Sequence, residues 1–372
     1  MEIMGGKKRV IHVVTSLDYG GVEKHLETYA RHSSFSVWLP SFIAISGLGY
    51  TADEIKKYGY EVDSLDLKPR APSLNAIIKL WQIFRSQKPD VVHTHGAEAN
   101  FNGIIAAKLA RVPVVIGEEI GIPNHSYKAK ALFRMVYSVS DRVIAISDSV
   151  KEWLVESGEA QEKKIIRIYN PVEIDPQLYS LRREDGFFKI GFVGRLEEVK
   201  NPLCLIRAVS ILKNKGVPVQ LVIVGAGSQL DMCQDEVISL GIENNVRIAG
   251  FQQQPLRFIR DCDLYVQPSL SEGFGIAIVE AMGCGLPVLA TSVGGVPEII
   301  QDGVNGWIMD DPTDENIAQK IINIMRSKHD LHRVADSAKQ SVAYRFSPKT
   351  YLESLNALYS SHFFSEVNNE KN

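Results

Sequence analysis

The sequence predicts an α/β protein built from two doubly wound domains. Three observations carry this. Short β-branched runs alternate with amphipathic segments along the chain. The alternation restarts after a charged, turn-rich stretch, Arg182-Arg183-Glu184-Asp185-Gly186. The length of 372 residues fits about two and a half domains at roughly 150 residues each.

In the first half, RVIHVV, SFIAIS, DVVHTH, VPVVIG, RVIAIS and IIRIYN read as strands bounded by turn or helix signals. Helical patterns at 75–87 and 97–111 lie between them. Near-continuous apolar strands separated by helices imply a parallel sheet covered on both faces. In the second half the strands are FKIGFVG, VQLVIVG, NVRIAG, DLYVQPS and LPVLAT. The expected domains are residues 1–180 and 181–345, joined near 171–186. A last helix is expected over 346–364: Ser347 suits an N-cap and Pro348 the first helical position. Tyr351, Leu352, Leu355, Leu358 and Tyr359 make one apolar stripe along it. The polar tail beyond Phe364 reads as frayed. In doubly wound folds ligands sit beyond the carboxyl ends of the strands, so a cleft between two such domains is the expected site.

Composition narrows the function. With 45% hydrophobic and 23% charged residues, disorder and a small disulfide scaffold are excluded. The near-balanced charge, 41 basic against 44 acidic residues, argues against nucleic acid as a partner. The run Val10–Val14 is too short for a signal segment, and no run of about 18 uncharged apolar residues crosses a bilayer. Cys204, Cys233, Cys262 and Cys284 form no Cys-x-x-Cys pair, so a structural zinc site on cysteines is not expected. A reduced, cytoplasmic protein is the expectation.

Five segments can carry chemistry. Gly20 and Gly21 follow the first strand, where backbone can approach an anion at a helix start or simply turn. Gly194-Arg195 ends a strand, and Lys200 follows at a helix start; a guanidinium fork and a point charge there suit a diphosphate. The densest segment runs from Ser269 through Glu272-Gly273-Phe274-Gly275 to Glu280. Its glycines open a helix whose free N–H groups can hold phosphate. Glu280 lies about two turns into an otherwise apolar helix and must be bonded there, because burying a lone carboxylate is costly. Gly294-Gly295-Val296-Pro297-Glu298 forms another glycine loop before a helix. Finally, His93-Thr94-His95 with Asn100 follows a strand. Metal binding, substrate contact and packing all stay open for these histidines.

Together these segments resemble the retaining glycosyltransferases of the GT-B fold, the family 4-like "glycosyl transferases group 1" enzymes. The resemblance covers essentially the whole chain and includes Asp302-Gly303-Val304-Asn305-Gly306. It implies two Rossmann-like domains facing a cleft, with the last helix crossing back to the first. It implies that Arg195 and Lys200 neutralise a donor diphosphate and that Glu272 contacts the donor sugar, these three forming the catalytic set. Gly194, Gly273 and the amides of Phe274 and Gly275 would border the phosphates, Glu280 would bind the ribose, and Phe251 and Gln252 would border the base. Gly20 and Gly21 would approach the diphosphate from the other domain. Where relatives carry a histidine after the strand matching VPVVIG, this chain reads Gly117-Glu118-Glu119-Ile120-Gly121. His93, His95, Glu118 and Glu119 are therefore expected near sugar or acceptor, with His125 a distant substitute.

The implied reaction moves a hexosyl or N-acetylhexosaminyl unit from a nucleotide diphosphate sugar, uridine diphosphate first, to an acceptor hydroxyl. No metal and no cofactor are expected, since the cations replace a metal. The acceptor implied is a lipid-linked or polysaccharide glycan. Lys128, Lys130, Arg134 and Lys163, Lys164, Arg167 offer either an ordinary solvated face or peripheral contact with the cytoplasmic face of the inner membrane. A GT-B sugar-nucleotide epimerase and a non-catalytic sugar-nucleotide-binding protein are the rival readings.

Overall fold

A computed structural model describes residues 8–18, 20–174, 178 and 186–369. Chain contacts divide it into two units. The first holds the chain up to Pro171 and again from Ser347; the second holds Val172–Phe346. The expected boundary between residues 180 and 181, and most of the expected linker, lie outside the described residues.

The first unit runs β1 (Lys8–Val14), α1 (Gly21–His32), β2 (Trp38–Ala44), α2 (Tyr50–Lys57), β3 (Val62–Ser64), α3 (Leu74–Gln87), β4 (Val91–His95), α4 (Ala97–Ala110), β5 (Val114–Glu119), α5 (Tyr127–Val139), β6 (Arg142–Ala145), α6 (Asp148–Glu156) and β7 (Ile165–Arg167). Its seven strands are all parallel, in the order β3-β2-β1-β4-β5-β6-β7. The burial of β1, β4 and β5 explains their unbroken apolar runs: helices cover both faces, so no alternation is needed. Several helix starts follow local rules. Ser73, Ser126 and Ser147 each accept a backbone N–H from the first turn of α3, α5 and α6.

The second unit repeats the plan: β8 (Phe188–Val193), α7 (Pro202–Asn214), β9 (Val219–Val224), α8 (Leu230–Ser239), β10 (Val246–Ile248), α9 (Leu256–Ile259), β11 (Leu264–Gln267), α10 (Ile276–Gly283), β12 (Val288–Thr291), α11 (Val296–Ile299), β13 (Trp307–Met309), α12 (Asp314–Met325) and α13 (Lys328–Arg345). Strand order is β10-β9-β8-β11-β12-β13, again all parallel. In each sheet the strand order therefore reverses at one point: between β1 and β4, and between β8 and β11. Ligands of doubly wound folds bind outside the carboxyl ends of the strands at such reversals.

The two-domain α/β reading holds. Two strands escaped it, β3 and β13, each three residues long at the end of a sheet. The last helix, α14 (Pro348–Asn369), starts where Ser347-Pro348 predicts, with Ser347 Oγ accepting the Thr350 N–H at 3.2 Å. It runs past Phe364 to Asn369 instead of fraying, since no proline or glycine interrupts that stretch. It belongs to the first unit. Tyr351, Leu352, Leu355, Leu358 and Tyr359 are buried there with Val10, Leu26, Trp38 and Ile116. Asn356 Oδ1 accepts the Ser36 hydroxyl at 2.8 Å, fixing the helix to the chain entering β2.

Candidate active site

The second unit gathers its charged candidates at the β8/β11 reversal. Strand β8 ends at Val193, so Gly194 and the exposed Arg195 leave its carboxyl end. Lys200 closes a short 3₁₀ turn, Glu198–Lys200, before Pro202 starts α7. From β11 the chain passes through Ser269 to Glu272. Lys200 Nζ lies 2.6 Å from Glu272 Oε1, a charge-assisted hydrogen bond between partly buried groups. Ser269 Oγ donates to the same oxygen at 2.9 Å, and Gln267 Nε2 donates to Ser269 Oγ at 2.8 Å. Tyr265 adjoins Gln267 Oε1 and donates to the Val193 carbonyl at 3.0 Å. A buried polar chain thus runs up β11 and holds the Glu272 carboxylate, which in turn orients the Lys200 ammonium.

Two loops support this arrangement from below. The Leu270 N–H donates to the Val199 carbonyl at 2.8 Å, tying the loop after β11 to the Lys200 turn. The Gly295 N–H donates to the Glu272 carbonyl at 3.2 Å. Gly294 lies against that carbonyl with φ of +53°; a Cβ added there would stand 1.6 Å from the Glu272 oxygen. The glycine loop Gly294-Gly295 is therefore a seat for Glu272. Beside it, Arg195, Glu197, Glu198, Val199 and Leu270 line an open depression. Glu197 is taken by Ser228, whose N–H and hydroxyl donate to its oxygens at 3.0 and 2.6 Å and lower its pKa.

The helix after Glu272 begins later than the sequence implies. Gly275, with φ of +102°, is the N-cap of α10, so Glu280 lies about one turn in, not two. Its side chain is 5% exposed. Phe274 is buried, its ring against Phe346 at 5.4 Å, and Gly273 lies between it and Glu272. Further along the sheet, Phe251 is half exposed and Gln252 donates to the Ala249 carbonyl at 2.9 Å.

The first unit presents a different picture. Gly20 is the N-cap of α1 and its carbonyl accepts the Lys24 N–H at 3.0 Å; Gly21 opens the helix. His93, His95 and Glu118 are not at a surface: each is at most 1% exposed. They meet His12 from β1 and His25 from α1, 0% and 2% exposed. His12 Nδ1 and His95 Nε2 are 3.0 Å apart, and Tyr359 of α14 lies 2.7 Å from His93 Nδ1. His93 Nε2 and His95 Nδ1 stand 3.0 and 2.9 Å from Glu118 Oε2, and His25 Nε2 stands 4.0 Å from Glu118 Oε1. Burial lowers the pKa of His25 and of His95 to about 4 and that of His12 well below the ordinary value. Burial alone would raise the Glu118 carboxyl, but the adjoining His95 and His25 outweigh it and hold it well below the carboxylate range. Near neutral pH Glu118 is an ionised carboxylate beside the neutral imidazoles of His12, His25 and His95.

Glu119 points elsewhere. It accepts the Tyr137 hydroxyl at 2.6 Å, and burial raises its pKa to about 7. Asn100 bridges the neighbourhood, donating to the Glu118 carbonyl at 2.9 Å and accepting the Thr94 hydroxyl at 2.7 Å. His125 is held by Glu159 at 2.9 Å and stacks on Phe133. Sequence reasoning missed His12 and His25. A histidine in the middle of the apolar run Val10-Ile11-His12-Val13-Val14 was the available signal, because a buried imidazole needs a partner.

Comparison with known proteins adds the following. The family model "Glycosyltransferase Family 4" matches residues 19–176, and "Glycosyl transferases group 1" matches 176–341. An uncharacterized glycosyltransferase of Methanocaldococcus jannaschii, MJ1607, is 32% identical over 283 residues, covering 70% of this chain and 72% of its own. The UDP-Gal:alpha-D-GlcNAc-diphosphoundecaprenol alpha-1,3-galactosyltransferase of Escherichia coli is 24% identical over 307 residues, 77% of this chain and 79% of its own. Among solved structures, Anabaena Alr3699/HepE in complex with UDP superposes with a TM-score of 0.81 at 22% identity, covering 95% of this chain and all of its own.

Proposed function

Because the chain belongs to the GT-B glycosyltransferases that join a family 4 segment to a group 1 segment, we propose that it transfers a hexosyl or N-acetylhexosaminyl unit, with retained anomeric configuration, from a nucleotide diphosphate sugar to a glycan hydroxyl. The observation that carries the reading is the Lys200–Glu272 pair beside Gly194-Arg195 at the β8/β11 reversal.

In this reading the glycosidic bond to the donor phosphate breaks as charge builds on the leaving diphosphate. Arg195 and Lys200 stabilise that charge, the term that usually contributes most to catalysis. Glu272 holds Lys200 in place and faces the sugar hydroxyls, with Gly273 and the amides of Phe274 and Gly275 beside the phosphates. Glu280 takes the ribose, and Phe251 and Gln252 border the base. The acceptor proton passes to the departing phosphate, so no protein base is required, and the two cations do the work a metal would do.

Uridine diphosphate is the proposed donor carrier and a lipid-linked or polysaccharide glycan the proposed acceptor. The Escherichia coli relative, named for a UDP-sugar donor and a diphosphoundecaprenol-linked acceptor, supports both. A thermal-shift panel of nucleoside diphosphates and their sugars tests the donor, because a ligand that binds the folded state raises apparent stability by mass action. Uridine diphosphate and its sugars are expected to raise the melting temperature by several degrees, and guanosine and adenosine diphosphates to leave it unchanged. A response to another base alone refutes the uridine assignment.

No helix among the described residues is long and apolar enough to cross a membrane. Peripheral membrane contact is part of the proposal. It is supported by α5, where Tyr127, Leu132 and Met135 are exposed beside Lys128 and Lys130. Such a helix combines apolar area with attraction to anionic lipid. Co-sedimentation with phosphatidylglycerol vesicles is expected, weakened at high salt and absent with phosphatidylcholine alone; equal sedimentation with both contradicts it.

A further inference from the structure

We propose that the buried cluster of the first unit binds one divalent first-row transition-metal ion, with His25, His95 and Glu118 as ligands. This goes beyond the transfer reaction and does not rest on it. The three ligands lie in the first unit, whereas Arg195, Lys200 and Glu272 lie in the second.

The chemistry of the donor set is the first argument. Imidazole nitrogens with one carboxylate suit zinc, iron and their neighbours, not magnesium or calcium. One ligand atom each from His25, His95 and Glu118 lies within 4.8 Å of the others. The same holds for His12, His93 and His95.

The lack of hydrogen bonds is the second argument. His93 Nε2 and His95 Nδ1 approach Glu118 Oε2 at hydrogen-bond distance, yet neither they nor that oxygen make a hydrogen bond. The three atoms crowd together without the full geometry of a hydrogen bond. Both nitrogens of His25 are buried without a hydrogen-bond partner. Unpaired buried polar groups of this kind are rare and call for an unseen partner.

The surroundings are the third. Ligating histidines bond a second group through their other nitrogen, which orients the ring. Here the ligand His95 meets His12 Nδ1 through its Nε2 at 3.0 Å, and the neighbouring His93 is itself fixed by the Tyr359 hydroxyl, 2.7 Å from its Nδ1. Tyr29, Phe42 and Tyr351 close around the cluster and keep it dry. The ligands come from α1, β4 and β5, and the outer partner of His95 from β1. One ion would therefore tie the carboxyl ends of the central strands to α1. With every ligand buried, the ion enters as the unit folds, so its binding strengthens folding.

The test uses the full chain without a histidine tag, from cells grown with added zinc or added cobalt. About one metal per chain is expected by plasma mass spectrometry after desalting, and the cobalt protein should show visible ligand-field bands. His25→Gln should lower the metal content at least tenfold, while His125→Gln, outside the cluster, should leave it unchanged. A folded wild-type protein holding less than about a tenth of an equivalent from either culture overturns the proposal. So does a folded His25→Gln protein with full metal, or metal removed by a brief chelator wash with no change in melting temperature. Should His25→Gln fail to fold, the wild-type content and cobalt spectrum decide the question.

Discussion

Lys200→Ala is expected to lower kcat about 100- to 1,000-fold, the usual effect of removing one preorganised donor at a developing negative charge. Arg195→Ala is expected to do the same. Neither change should unfold the protein. Arg195 is exposed, and Glu272 keeps the Ser269 hydroxyl at 2.9 Å when Lys200 is gone. The stability cost of losing the partly buried pair should be about 1–2 kcal/mol. Lys200→Arg should recover only part of the rate, because a planar fork cannot occupy the place of a compact ammonium 2.6 Å from Glu272. Single-turnover rates with the tightest donor from the thermal-shift panel, read beside melting temperatures, separate chemistry from folding. Near-wild-type turnover in both alanine variants refutes the assigned role of the two cations.

Gly294→Ala should act through backbone alone. Its Cβ would stand 1.6 Å from the Glu272 carbonyl oxygen, and its φ of +53° already disfavours an L side chain. No rotamer relieves a contact between a Cβ and a main-chain oxygen, so the loop bearing Glu272 must move. Displacing a catalytic group by about 1 Å costs on the order of 100-fold. A comparable drop in kcat is expected, with a lower melting temperature. Gly303→Ala is the control: it shares a positive φ, +70°, but meets nothing within 4 Å. It should cost roughly 1–2 kcal/mol of stability and leave kcat within a few-fold. Equal kinetics for the two variants would show that the Gly294 loop does not seat Glu272.

These effects follow from features of unequal legibility. The two sheets were legible because parallel strands covered on both faces leave unbroken runs such as RVIHVV and VQLVIVG. The edge strands β3 and β13 were not, since three residues carry too little periodicity to read. Arg195, Lys200 and Glu272 were each singled out from local chemistry, but their meeting was not readable. Lys200 and Glu272 are 72 residues apart, and only the return of β11 beside β8 joins them. The start of α10 is not readable from the sequence because Gly273 and Gly275 both suit a helix opening, and backbone geometry selects the second. His93 and His95 drew notice as a pair at a strand end. Their burial, and the convergence of His12 and His25 on Glu118, depend on three strands and a helix that local pattern does not place together.

The central claim is that the protein transfers a sugar from a nucleotide diphosphate donor with retention. Proton NMR of the product formed from an α-linked uridine diphosphate sugar and a lipid-linked glycan acceptor tests it directly. The account predicts release of uridine diphosphate matched by a new α-glycoside, identified by the small coupling constant of its anomeric proton. A β-glycoside, or a changed sugar nucleotide formed without any acceptor, would contradict it.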